Sequence, residues 1–328
     1  MTKGKKNKAR NILIALSLKH NGDWDKIYED IQNKTLVEDT YTQQAENIKN
    51  VITILDEEYP QQLKNSFKPP FVLFYKGNIN FTEILFTPYY LTNVFYEDLI
   101  AKADVICLET NDGREHLWQA EKCFKAKKRV FIDKPIAQDY PHAKAICDLG
   151  RKYGAEYFST STLRYADANA AARASGTNFV SCIFFAPSPV ETQGTHSRYV
   201  WYGIHAFETA MTVMGRGARS VRAYTAGIND FVTITWADGR VANLKLDQKC
   251  WNYGGYAFPL EGEPVPLCGP KGYGPMLKGA ILPFFRTGIV PVPHEQTLEI
   301  FAIMDAAAKS HAEGGREVAI VEITGESD

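Results

Sequence analysis

The chain has 328 residues, 45% of them hydrophobic and 23% charged, with a formal charge of -1. That length can build two domains with separate cores, the composition excludes a disordered chain, and the near-zero charge supplies no general field for nucleic acid. Six scattered cysteines without a CxxC pair exclude a zinc module and a disulfide framework, and no apolar run reaches the roughly 18 residues of a membrane span, so a reduced, cytoplasmic protein is expected.

Lys3, Lys5, Lys6, Lys8 and Arg10 concentrate charge in one short stretch, read as a solvated tail; no nucleic-acid partner is expected from it. Ile12, Leu13, Ala15, Leu16 and Leu18 then predict a helix from Lys8 to His20, ended by Asn21-Gly22. Asp23 caps a second helix carrying Trp24, Ile27, Tyr28 and Ile31, and a third spans Asp39 to Asn50, making residues 1–50 a small helical region. Val51–Leu55 and Phe71–Tyr75 read as strands, with Tyr59-Pro60 opening a short helix between them.

Further on, a helix at Phe95–Ala103 leads into a strand at Asp104–Leu108. The alternation continues with a helix at Gly113–Ala126, a strand at Arg129–Ile132, a helix at Asp139–Tyr153 and a strand at Glu156–Ser159. This is α/β, half of a doubly wound parallel sheet, and it predicts an incomplete Rossmann-like, dinucleotide-binding-like domain over 51–160. Leu163–Ser175 suits a connecting helix. Phe179–Ala186, Val221–Thr225, Phe231–Trp236 and Val241–Leu246 are strand-like, and Asp238-Gly239 marks one of the turns. They predict a largely antiparallel sheet in a second, α+β domain over 161–328. Helices at Gly274–Thr287 and Glu295–Glu313 close the chain, the latter stopped by Gly314-Gly315.

Lys134 stands in RVFIDKPIA, directly after a buried strand, where open α/β folds keep their chemistry. An isolated Asp-Lys-Pro would be an ordinary surface turn. At the neighbouring strand end come Thr110, Asn111 and His116; helix capping by Asn111 or Asp112 is the competing reading. His205 projects from a helix over Tyr202–Gly215 whose apolar residues Ile204, Phe207, Met211 and Met214 have helical spacing. Its near-neutral pKa suits proton transfer, although a helix-face histidine bonded to backbone has the same pattern. No metal is expected, since Glu115-His116 lacks the second histidine of HExxH.

Together, these motifs, with YGIHAFE at Tyr202–Glu208, resemble the glucose-fructose oxidoreductase, inositol dehydrogenase and MocA (Gfo/Idh/MocA) family from Phe86 to Ile320. The resemblance implies an NAD(P)-dependent oxidoreductase acting on a sugar or polyol, with NAD or NADP as cofactor, no membrane partner and a homo-oligomeric assembly. It makes Lys134 and His205 catalytic. It puts Thr110, Asn111, His116, Asp133, Lys134 and Pro135 at the cofactor, and Arg164, Tyr165, Trp201 and Tyr202 at the substrate. The competing reading of Arg164 is a helix-start arginine paired with Asp167. Where the family often carries an aspartate four residues before its histidine, this chain has Trp201, leaving Tyr202 and Glu208 as substitutes.

Two features pull the other way. No GxGxxG follows a strand, and CGPKGYGP at 268–275 reads as a loop, so weak cofactor binding or none is expected. Ile52–Asn78 resembles the amino-terminal region of the bacterial DNA-processing protein A family in its YPxxL and PPxxLFYxGN elements, which sets a seam at Ile79–Pro88. The alternatives are therefore a non-catalytic, nucleic-acid-associated protein, or a composite chain without unified activity.

Overall fold

Helix starts and stops follow the local chemistry of the sequence. In the computed structural model, which describes residues 3–59, 64, 69–74, 99–189, 196–268 and 272–325, α1 (Lys3–Lys19) ends where Asn21 and Gly22 take positive φ. The Asp23 carboxylate then accepts the Lys26 N–H at the start of α2 (Trp24–Asn33), and α3 (Asp39–Asn47) follows. The chain divides between Ala103 and Asp104 into two units, a different partition from breaks at 50/51 and 160/161.

In the first unit, Ile14, Ala15, Ala45 and Val51 form a small core with Leu18, Val37, Tyr41, Ile48 and Val72 packed against it. The two expected strands are present as β1 (Val51–Thr53) and β2 (Val72–Phe74). They pair with each other antiparallel, Val51 opposite Phe74, rather than joining a parallel sheet. Arg10 fixes the end of this strand pair by donating to the Val51 carbonyl and to Asp56. Ile79–Pro88, Pro60 and Tyr75 lie outside the described residues, as do 95–98 of the helix expected at Phe95–Ala103.

The second unit holds the expected half-sheet. β3 (Val105–Leu108), β4 (Arg129–Ile132) and β5 (Tyr157–Ser159) run parallel in that order, connected by α4 (His116–Lys125) and α5 (Tyr140–Tyr153). A 3-10 turn (Thr162–Tyr165) and α6 (Asp167–Ala174) occupy the place of the single connecting helix.

Next comes a seven-stranded sheet, order β11-β10-β6-β9-β8-β7-β12, made of β6 (Phe179–Pro187), β7 (Ala218–Ala226), β8 (Asn229–Trp236), β9 (Val241–Asp247), β10 (Gly254–Pro259), β11 (Val265–Cys268) and β12 (Val318–Ala319). Only β6–β9 is parallel. Between β6 and β7 lies α7 (Ile204–Met214), which packs on β6 and β9. After β11 come α8 (Tyr273–Met276), a π turn (Leu277–Ile281), α9 (Leu282–Thr287) and α10 (His294–Ala312), which packs on β7. A last short helix is α11 (Val321–Thr324).

Alternation along β8 sends Val232, Ile234 and Trp236 into the core beneath these helices. The opposite sheet face leaves Ile183, Phe185, Tyr224 and Tyr256 exposed. The three-stranded sheet is sealed by Phe131, Phe158 and Phe284, whose rings meet at 5.1 and 4.9 Å. No described helix is long and apolar enough to cross a membrane.

Candidate active site

β4 delivers its last side chains to the carboxyl edge of the parallel sheet. Asp133 donates its N–H to the Leu108 carbonyl, which locks the β3 and β4 ends together, and Lys134 follows with a cis peptide bond to Pro135. Lys134 is half-buried, and its ammonium lies 5.2 Å from the centre of the Tyr202 ring. Burial lowers the Lys134 pKa and raises that of Asp133, each opposed by the neighbour's charge.

His205 reaches the same ring from the first turn of α7, 5.0 Å between centroids and edge to face. Burial, and then the Lys134 charge, hold its pKa well below 6.5, so the imidazole is neutral at physiological pH. Tyr253 meets His205 edge to face at 6.3 Å and donates its hydroxyl to the Tyr202 hydroxyl at 3.3 Å. Trp251, 62% exposed, meets Tyr202 edge to face at 5.2 Å. An ammonium, a neutral imidazole and two phenols thus cluster around the Tyr202 ring.

The expected substitutes for the missing aspartate do not orient His205. Its Nδ1 lies 2.7 Å from the Ser161 hydroxyl. Glu208, one turn along α7, is bound instead to Arg164, whose Nε and Nη2 donate to one carboxylate oxygen at 3.1 and 2.6 Å. Arg164 also donates to Thr160 and Gln296, and it is 2% exposed. The expectation that Arg164 holds a substrate therefore meets a guanidinium already spent on protein acceptors, and its partner is Glu208 rather than Asp167.

Tyr165 is buried in the core beside Phe131 and Phe284. Trp201 turns its ring toward His196 at 5.1 Å. Of the expected substrate residues, Tyr202 is the one the fold brings to Lys134 and His205.

On the cofactor side, His116 is fully buried. Its Nδ1 bonds to the carbonyls of Pro135 and Ile136 at 3.0 and 3.2 Å, while Nε2 near Thr110 makes no well-formed hydrogen bond. It buttresses the Lys134-Pro135 turn from behind. Thr110 donates to Gln119, and Asn111 is exposed. The Asp112 side chain accepts the Arg114 N–H rather than capping α4. Gly272, from the glycine-rich loop, lies against the Thr162 carbonyl, where an added Cβ would sit at 1.8 Å.

Sequence reasoning missed Ser161, Trp251 and Tyr253. A serine after a strand reads as a cap, and Ser161 does cap the 3-10 turn by accepting the Leu163 N–H at 3.1 Å. Nothing in WNYGGY separates a cleft wall from a loop.

Residues 37–161 match the family model GFO_IDH_MocA, an oxidoreductase family with an NAD-binding Rossmann fold. The fold is of the Gfo/Idh/MocA type. A Sinorhizobium meliloti 1021 protein described as a myo-inositol dehydrogenase superposes with a TM-score of 0.62 at 17% identity, over 69% of this chain and 84% of that one. An aldose-aldose oxidoreductase from Caulobacter crescentus, solved with glycerol, gives 0.57 at 16%, over 69% and 83%. A scyllo-inositol dehydrogenase from Lactobacillus casei, solved with NAD(H) and scyllo-inositol, gives 0.57 at 13%, also over 69% and 83%.

No curated protein matches the chain significantly. The family match takes in Ile52–Asn78, and none of these comparisons brings in a DNA-processing protein, so that resemblance and the seam drawn from it gain no support.

A nicotinamide cofactor fits this site on one side. Lys134 stands at the carboxyl edge of β4, the edge at which open α/β sheets take their ligands. Among the described residues, however, the parallel sheet ends at β3, and no strand, glycine turn and helix amino terminus precede it to cradle a pyrophosphate.

Proposed function

We propose that this chain is an oxidoreductase of the Gfo/Idh/MocA type that takes a sugar or polyol into the cleft over β4 and holds its NAD(P) cofactor weakly. The observation that carries the reading is the convergence of Lys134 and His205, 71 positions apart by subtraction of their numbers, on the single ring of Tyr202.

A nicotinamide supplies, when bound, the hydride acceptor or donor that no side chain can provide. Lys134 places a positive charge where a carbinol oxygen gains negative character, and its lowered pKa eases proton exchange at Nζ. His205, kept neutral, hydrogen-bonds the same oxygen. Trp251 and Tyr202 offer apolar surface to the C–H face of a ring. Thr110, Asn111 and Asp133 line the cofactor side. Arg164 and His116 hold the cleft from behind, and the exposed apolar sheet face pairs two copies of the chain.

Each backbone hydrogen bond lost with the glycine turn removes on the order of 1 kcal/mol or more from a charged phosphate. Calorimetric titration of the full chain with NADH and NADPH tests this, with dissociation constants near millimolar expected. Micromolar binding overturns the weak-cofactor part, and a complete lack of heat at millimolar cofactor overturns the dehydrogenase part.

A further inference from the structure

The buried hydroxyl of Ser161 has two partners among the described residues, and together they fix where its proton is. The oxygen accepts the Leu163 N–H at 3.1 Å and lies 2.7 Å from His205 Nδ1. Ser161 is 0% exposed, so no bulk water completes its bonding.

A serine hydroxyl has one proton to donate. If Nδ1 carries the imidazole proton, the serine oxygen accepts twice, and its own O–H is left buried without an acceptor. If Nδ1 is bare, the hydroxyl accepts from Leu163 and donates to Nδ1, and every polar atom is satisfied. A buried donor left unsatisfied is disfavoured by about tenfold or more in population. We propose that Ser161 is a positioning residue that holds His205 in the tautomer protonated at Nε2, making the imidazole a hydrogen-bond donor toward the substrate oxygen and leaving proton acceptance to Lys134.

The rest of the site agrees with this division of labour. His205 Nε2 has no hydrogen-bond partner among the described residues, and the faces of Tyr202 and Tyr253 flank the ring edge to face. Lys134 is the charged group acting on the imidazole, and Asp133 is the one acting on Lys134. A neutral imidazole with a proton on the cleft side polarises a carbonyl but cannot take a proton from an alcohol at that nitrogen. Lys134, with its ammonium destabilised by burial, cycles between charged and neutral forms more readily. The tautomer assignment stands on hydrogen bonding alone; its catalytic consequence rests on the dehydrogenase reading above.

The test is nitrogen NMR of the full chain labelled at histidine, with the His205 signals assigned by their loss in His205→Asn. Near neutral pH and without cofactor, Nδ1 should resonate in the pyridine-like range and Nε2 in the pyrrole-like range. Ser161→Ala should shift both toward an average as the tautomers mix, and Ser161→Thr should restore the wild-type pattern. A pyrrole-like Nδ1 in the wild type overturns the proposal, and so does a Ser161→Ala spectrum unchanged at His205. The wild-type spectrum alone decides if Ser161→Ala does not fold. The result is independent of the titration with NADH, so failure here leaves the dehydrogenase reading standing.

Discussion

Lys134 and Tyr202 come together in space although one ends a parallel strand and the other precedes a helix that packs on a different sheet. The ammonium lies 5.2 Å from the ring centre. The ring in turn carries His205 against its edge and shares a hydroxyl bond with Tyr253. A cation over an aromatic face keeps its charge in a half-buried setting at less cost than a cation among aliphatic groups. The cluster therefore draws on both sheets of the second unit, and its chemistry belongs to neither sheet alone.

The Arg164–Glu208 pair predicts a stability effect that separates a structural from a ligand-binding arginine. Glu208→Gln should destabilise the fold by about 3–5 kcal/mol in urea unfolding, because it leaves a buried guanidinium uncompensated. The double variant Arg164→Met with Glu208→Leu should recover most of that loss. A Glu208→Gln protein as stable as the wild type would show that Arg164 is not committed to Glu208.

The aromatic seal predicts a second one. Phe158→Ala removes the ring that joins Phe131 to Phe284 and should cost about 3–5 kcal/mol. Thermal unfolding followed by circular dichroism measures it, and a loss below about 1 kcal/mol would contradict the packing described.

A third concerns pH. Desolvation, and then the Asp133 carboxylate, push Glu109 up to about 7 from 4.5, although its side chain reaches solvent. Between pH 4.5 and 7 the native chain keeps a proton that the unfolded chain has released, so this group makes stability fall as pH rises through that window. Glu109→Gln should gain stability over the wild type on going from the acid to the neutral end. Parallel pH profiles for the two proteins would contradict the assignment.

The exposed apolar face of the seven-stranded sheet predicts self-association. Ile183 of β6 sits opposite Tyr256 of β10, with Phe185 two residues on and Tyr224 across the sheet. Light scattering should give a dimer or larger assembly for the wild type, and a smaller one for Ile183→Asp with Phe185→Asp. A wild-type monomer at high concentration would remove the idea.

Much of this was legible in the residues. The strand-lysine-proline order of RVFIDKPIA placed Lys134, and the helical spacing after Tyr202 placed His205. The half-sheet followed from simple alternation of strand and helix patterns.

What stayed hidden depended on contacts distant in sequence. Arg164 reads equally well as ligand or strut until Glu208 is seen beside it. β10 escaped notice because Gly254-Gly255 signals a turn, yet Gly255 is needed where β10 pairs with β6, opposite Phe184. An added Cβ there would lie 2.0 Å from the Ile183 carbonyl. Ser161 is both cap and histidine partner, and a sequence shows only the cap. Val51–Thr53 and Val72–Phe74 were readable as strands, but their antiparallel pairing with each other is not written in either strand's own pattern.

The cleft itself is tested most directly by turnover. Full-length protein at millimolar NAD or NADP, offered a panel of inositols, aldoses and acyclic polyols, should reduce the nicotinamide with at least one ring substrate. Lys134→Met should lower that rate by about 10²-fold or more, as loss of a charge-stabilising donor does. Reduction that survives Lys134→Met unchanged would contradict the account, as would no reduction across the whole panel.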